Sequence, residues 1–250
     1  MNGGPPVDVR SDLPCATCAV NRVHGYCPAA GRPEGHPAWV SIRQFGPRET
    51  VLREGQPGAS LMLLVSGWAV AYTRGMDGRR RVIDTRLPGE SISYHTLFTE
   101  KAEFTVRTLT AATVCEFDNR GLRAALADDR SGGDSIGRLV GSVFRRMLWR
   151  IDLAGMQFAK GALASLILDL YLRLRQVGQV RDEEFFCPLT HELIGEILGL
   201  TKVHVSRTLK ALRDEGCLDY TARRVRIHDL DRLMALSGVR LDLAEAPELP

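Results

Sequence analysis

The sequence is 250 residues long, 44% hydrophobic and 25% charged, and its 33 basic and 30 acidic side chains leave a formal net charge of +3. This composition excludes a disordered chain, a collagen-like chain and a small disulfide scaffold, and the weak charge confines any DNA-binding surface to a local patch. At about 150 residues per domain the length makes one large or two small domains; the apolar run at 61–65 is far shorter than the ~20 residues of a membrane helix and the first twenty residues hold no apolar signal core, so a cytoplasmic chain without membrane contact and with reduced thiols is expected.

Six of the twelve prolines fall in residues 1–37, together with Cys15, Cys18 and Cys27, three of the six cysteines. Proline removes a backbone donor and restricts its neighbour, so this stretch reads as an N-terminal arm made mostly of loop. Cysteines of a reducing compartment serve as ligands or as spectators rather than as disulfides.

Residues 38–118 read as β-structure. Turn signals recur at Gly46-Pro47, Gly55-Gln56-Pro57-Gly58, Gly75-Met76-Asp77-Gly78 and Pro88-Gly89. Trp68, Val70 and Tyr72 alternate with Ala69, Ala71 and Thr73, the period of a strand with two unlike faces. Short strands at such spacing predict a small sandwich or barrel, placed as a domain over 38–130.

The period then changes. Ile136, Val140, Val143, Met147, Ile151, Ala154 and Phe158 step by three or four residues, which predicts a long helix over 135–158 with one apolar stripe, preceded by Gly132-Gly133 as a breaker. Such a stripe packs either on its own β domain or on the same helix of a second subunit. Little local sequence is left to cover it, which favours the second, with 131–160 as a dimerisation helix.

A further helix is expected over 161–178, then helices near 190–198 and 202–214 and a strand pair near 218–227. Thr190 and Thr201 are placed to cap the two short helices and Gly199 to make the turn between them. Val205, Leu209 and Leu212 form the buried row of the second helix, and Lys202, Val203, Ser206, Arg207 and Lys210 its opposite face. Residues 201–213 carry four basic side chains and no acid. This is the pattern of a helix-turn-helix: a helix fits the major groove, its polar face reads base edges, and flanking cations hold phosphates. An ordinary helical hairpin with a solvated basic face has the same spacing. Arg223, Arg224 and Arg226 follow, where a wing would touch phosphate. The DNA-binding domain is placed at 161–238 and an acidic tail at 239–250. No phosphate loop, no Gly-x-Ser-x-Gly, no His-Glu-x-x-His and no positioned carboxylate pair suggests an enzyme.

Over residues 38–235 the chain resembles the cyclic-AMP-receptor/Fnr (Crp/Fnr) family of transcription regulators. The matching pieces are Glu54-Gly55-Gln56, Leu63-Leu64-Val65-Ser66-Gly67, Leu87-Pro88-Gly89-Glu90, residues 112–117, the long helix, Leu198-Gly199-Leu200-Thr201 and Val205-Ser206-Arg207. The resemblance implies an α+β chain: a cyclic-nucleotide-binding-like β-roll (jelly roll), a long dimerisation helix and a C-terminal winged helix-turn-helix. It further implies a homodimer on two-fold symmetric promoter DNA that recruits RNA polymerase, with Thr201, Lys202, Val203, Ser206, Arg207 and Lys210 facing the DNA. Val203 stands where many members carry a glutamate, leaving one base of the family half-site open.

The family's nucleotide-binding branch uses a Gly-Glu pair for ribose and an Arg-Ser pair for phosphate. Here Ser93-Tyr94 and Ala102-Glu103 occupy those positions, and an acid beside a phosphate is repulsive, so cyclic AMP is not expected as effector. In the Fnr branch, three arm cysteines and one β-roll cysteine hold a [4Fe–4S] cluster, which the resemblance maps to Cys15, Cys18, Cys27 and Cys115. Loss of the cluster to oxygen would release the arm, weaken the dimer helix and switch off DNA binding. A zinc site using His24 or His36, a thiol switch, a different small molecule in the β-roll, and cysteines without a role remain alternatives. Cys187 and Cys217 read as packing residues.

Overall fold

The computed structural model describes residues 18–24, 39–128, 130–156 and 158–238. It divides into two units, Met1–Ser142 and Val143–Pro250. Cys15 and Cys27, His36 and the acidic tail lie outside the described residues.

The first unit holds β1 (Trp39–Phe45), β2 (Thr50–Leu52), β3 (Ser60–Ser66), β4 (Ala69–Arg74), β5 (Arg80–Arg86), β6 (Thr105–Thr108) and β7 (Ala112–Asp118). They form two antiparallel sheets, β1-β7-β3 and β2-β6-β4-β5. Phe45, Met62, Leu64 and Val114 from one sheet and Leu52, Ala69, Ala71 and Val106 from the other share a single buried cluster, which is the interior of the β-roll.

The opposite face of β1-β7-β3 is buried as well. Ile42, Leu61, Leu63, Cys115 and Phe117 lie under Val20 of α1 (Ala19–His24), Leu97 of the 3-10 turn Tyr94–Leu97, and Leu122 of α2 (Asn119–Asp128). This is why residues 61–65 are continuously apolar instead of alternating: a strand covered on both sides has no solvent face. The same holds for β4, where Ala69, Val70, Ala71 and Tyr72 are all buried, so the two unlike faces expected there are not an inside and an outside.

A 26-residue helix, α3 (Arg130–Gly155), crosses the division between the units. It runs through Gly132 and Gly133, which therefore do not break it. Glycine costs a helix about 1 kcal/mol relative to alanine but keeps its backbone donor, which only proline lacks. The helix ends at Gly155, so Phe158 is not on it but precedes α4 (Ala159–Gln176) as an exposed capping position.

The second unit continues with β8 (Glu184–Phe186), α5 (His191–Leu198), α6 (Lys202–Asp214), β9 (Leu218–Thr221), β10 (Arg224–Ile227) and α7 (Leu230–Ser237). The three strands form the sheet β8-β10-β9. Leu163, Ile167, Tyr171, Ile194, Val205, Leu212, Val225 and Leu233 are fully buried and join the helices to this sheet. Among the described residues no helix is long and apolar enough to cross a membrane.

Candidate nucleic-acid interface

α5 and α6 are set by local chemistry. The Thr190 hydroxyl accepts a hydrogen bond from the Leu193 amide at 3.1 Å, and the Thr201 hydroxyl one from the His204 amide at 3.2 Å. Each satisfies a donor that a helix start leaves unpaired. Between them Gly199 adopts the left-handed conformation, φ 68°, that ends α5. A Cβ on Gly195 would lie 2.5 Å from the Leu200 carbonyl oxygen, so only glycine lets the turn close onto the helix there. Val205, Leu209 and Leu212 are buried as the spacing predicts, while Lys202, Val203, Ser206, Arg207 and Lys210 are exposed on one face of α6. Val203, 62% exposed, is an apolar side chain with no cover in its own chain.

The charge pattern of this unit was not visible in the sequence. Lys202 pairs with Glu192 at 2.5 Å and Arg213 with Asp219 at 2.5 Å. In the wing, Glu184 holds both Arg224, at 2.9 Å, and Arg226, at 2.8 Å. The carboxyls are held below the usual carboxylate range accordingly, Glu184 chiefly by Arg226 and then Arg224, Glu192 chiefly by Lys202, and Asp219 chiefly by His228 and then Arg213. Near α6 and the wing, Arg207, Lys210 and Arg223 enter no ion pair among the described residues, so each can meet a phosphate without first giving up an internal partner. Arg223 sits at the β9–β10 turn, where it and Ala222 have φ of 62° and 48°, the left-handed pair that a tight two-residue hairpin demands.

His191, to which the sequence assigns no role, meets Ser206 of α6: its Nδ1 lies 2.9 Å from Ser206 Oγ. No periodicity or motif announces a contact made across a turn by two side chains fifteen positions apart.

On α3, Val140, Phe144, Met147, Leu148 and Ile151 are exposed, at spacings of three and four with one adjacent pair. Val143, expected in the same row, is buried within the single chain. The side chains of Ile136 and Ala154 lie outside the description. Phe144 and Leu148 were missed because the expected row followed one strict seam, whereas the apolar face is broader.

Cys18 borders the apolar cluster that contains Cys115, and neither is in a disulfide. α1 reaches the β-roll over Gly89, whose φ is +92° and where a Cβ would meet Val23 Cγ2 at 2.5 Å and the Ala19 carbonyl at 2.8 Å. No group of three or more metal-ligating side chains occurs among the described residues. Cys187 and Cys217 are fully buried, and burial pushes the Cys187 thiol up to about 11.

Inside the β-roll the Ser93 hydroxyl donates to the Ser60 carbonyl at 2.9 Å and accepts from the Met62 amide at 2.8 Å. Arg86 is buried, paired with Asp84, and lies over the Phe104 ring. His95 stacks on the same ring at 4.3 Å and accepts from the Glu103 amide through Nε2. Burial and the neighbouring Arg86 push its pKa down to about 4, so the ring is neutral with its hydrogen on Nδ1.

Two family descriptions match separate stretches: a cyclic nucleotide-binding domain over residues 42–129 and a Crp-like helix-turn-helix domain over residues 161–236. The chain is 28% identical over 197 residues to an anaerobic regulatory protein of Pasteurella multocida, covering 76% of this chain and 69% of that one. The chain belongs to the Crp/Fnr family of transcription regulators. Its relatives lie in the Fnr-like branch: it is 25% identical over 194 residues to the transcriptional activator protein FnrA of Stutzerimonas stutzeri, covering 78% of this chain and 79% of that one, and 26% identical over 238 residues to the transcriptional activatory protein AadR of Rhodopseudomonas palustris, covering 90% of this chain and 97% of that one. Its fold is that of FixK2 from Bradyrhizobium japonicum, with a TM-score of 0.69 at 21% identity over 80% of this chain and 98% of that one. A Crp/Fnr chain of this kind is a DNA-binding regulator, not an enzyme, and is related to anaerobic regulators.

Proposed function

We propose that this regulator acts as a cytoplasmic homodimer, binds two-fold symmetric promoter DNA through α6, and is gated by oxygen or redox state through a [4Fe–4S] cluster on Cys15, Cys18, Cys27 and Cys115. One observation carries the DNA half: the uncovered face of α6 presents Arg207 and Lys210 without internal counter-charges beside Ser206 and Val203. Arg207 suits a bidentate contact to guanine O6 and N7, and Val203 a thymine methyl. Lys210 and Lys202 serve phosphates, Lys202 after giving up Glu192, and the Thr201 cap fixes where α6 begins. The exposed row Val140, Met147 and Ile151, widened by Phe144 and Leu148, suits the same helix of a second copy, because an apolar face this long is costly in water. Recruitment of RNA polymerase belongs to the same reading. The Arg207→Ala variant is expected to lose specific operator binding while keeping its fold and mass; unchanged operator affinity in an anisotropy titration would remove α6 from the interface.

For the sensor, Cys18 packs against the apolar cluster that contains Cys115, and both donors are thiols. That donor set suits an iron–sulfur cluster, which when bound supplies an oxygen-labile link among thiolates. The chain's own part is to dock the arm: Val20 is buried and Gly89 lets α1 lie against the roll. A cyclic nucleotide is not part of this reading. Ser93 already uses its hydroxyl within the roll, and the buried Arg86 is neutralised by Asp84.

A second reading, a different small molecule inside the β-roll, is favoured by two buried nitrogens without hydrogen-bond partners, Arg86 Nε and His95 Nδ1. Anaerobic purification separates the two. Broad absorption near about 400 nm with about four irons per chain, lost in air together with operator affinity, is the expected result. A colourless, iron-free protein after anaerobic reconstitution would overturn the cluster and leave the second reading.

A further inference from the structure

The contact between His191 and Ser206 joins the two helices of the DNA-binding motif through their side chains. His191 opens α5, Ser206 lies in the middle of α6 between Val203 and Arg207, and Nδ1 and Oγ are 2.9 Å apart. The His191 ring is itself backed by Tyr220, ring centroids 6.0 Å apart, and the Tyr220 hydroxyl donates to the Leu189 carbonyl and lies 3.1 Å from that of Cys187. The imidazole is therefore braced by a fixed aromatic, while Ser206 takes from it the single side-chain partner it has among the described residues.

A serine hydroxyl has one hydrogen and two acceptor positions. A partner that accepts takes the hydrogen, and the oxygen then offers only lone pairs, which suit the amino groups of cytosine N4 and adenine N6. A partner that donates leaves the hydrogen available for guanine O6 or N7, thymine O4 or adenine N7. Building on the assignment of α6 as the recognition helix, we propose that His191 is a specificity-positioning residue: its hydrogen bond fixes the rotamer and the donor–acceptor sense of Ser206, and so which base Ser206 reads. Residue 191 then shapes sequence preference without touching a base.

The test is a double substitution at 191 and 206 in the full-length protein purified anaerobically. Affinity is measured on operators in which each half-site position is changed to all four base pairs. Ser206→Ala locates the position that Ser206 reads, as the one where preference flattens. His191→Arg donates only, and is expected to shift the ratio of affinities among the four base pairs at that position by about three- to tenfold and to leave other positions unchanged. His191→Asn places an amide near Nδ1 that can donate or accept, and is expected to keep the native order. In the Ser206→Ala background the arginine is expected to change no ratio. A uniform change across all sequences, or a shift that survives Ser206→Ala, overturns the proposal, because residue 191 would then act on phosphate or on DNA directly. If Ser206→Ala alone flattens no position, Ser206 reads no base and the proposal falls, while loss of binding by Arg207→Ala still supports α6 as the recognition helix. Circular dichroism and solution mass of each variant separate these outcomes from misfolding.

Discussion

Glu184 sits in the shortest strand of the winged unit and pairs with two arginines at once. The run of three arginines at 223, 224 and 226 therefore carries less free positive charge than the sequence suggests, with Arg224 and Arg226 sharing this carboxylate. Glu184→Gln removes the negative charge and keeps a polar partner, so Arg224 and Arg226 become available to phosphates. Affinity for non-operator DNA is expected to rise, and the slope of log affinity against log salt to steepen by as much as about 1.8, since each phosphate neutralised contributes ~0.9. A slope equal to that of the parent protein would place both arginines away from the DNA. At this scale the sequence was legible where chemistry is local. Thr190 and Thr201 cap their helices and Val205, Leu209 and Leu212 are buried, because caps and helical rows depend on neighbours within one or two turns. Ion pairs and the His191–Ser206 contact were not legible, because they depend on which remote residue folding brings near.

Among the elements, α3 and α1 carry the consequences. Ile151 is 69% exposed, so a charge there leaves the single chain nearly undisturbed but meets its own copy in a paired seam. Ile151→Glu is expected to raise the dimer dissociation constant at least about tenfold in sedimentation experiments, with the far-ultraviolet spectrum retained. A purely monomeric parent protein would sink the seam instead. Gly89 governs the other element. A valine there faces both a φ of +92° and a Cβ contact of 2.5 Å with Val23, so Gly89→Val is expected to lift α1 from the roll. Hydrogen exchange at Ala19–His24 would speed up, and under the proposed cluster ligation less iron would be retained in the anaerobic preparation. Periodicity gave the long helix but misplaced its limits: Gly132-Gly133 lie inside it and Phe158 beyond it. A repeat of apolar residues reports spacing along the chain and not where a helix ends, so an apolar residue just past Gly155 falls in step with the row although it is exposed at the start of α4.

At the scale of the whole molecule, one buried polar group of the β-roll makes stability depend on pH. A histidine in an unfolded chain titrates near about 6.5, whereas His95 is pushed down to about 4 by burial and Arg86. As pH falls, the unfolded chain therefore takes up a proton before the folded one does. The contribution of His95 to stability is fully present above about 6.5 and is lost as pH drops towards about 4. His95→Gln is expected to flatten that descent in urea midpoints taken across the range; an unchanged slope would assign the acid sensitivity to other groups. The change from a β-rich first part to helices and a winged helix-turn-helix was readable, since a switch from turn-punctuated strands to helical periodicity is a large-scale signal. The two-sided burial of β1-β7-β3 was not, because it requires knowing that α1, the 3-10 turn and α2 return to cover its second face.

The carboxylates that bind the winged unit's own cations also bear on how such a molecule finds its target. Lys202, Arg213, Arg224 and Arg226 each have an internal partner, so random duplex must displace a neighbour before it gains a contact. A genome offers roughly a million to a billion wrong sites for each right one. A surface that holds poorly to all of them shortens each futile dwell and leaves more of a small population of molecules searching. On this view the acids beside the recognition helix set the pace at which an operator is occupied after the sensor changes state.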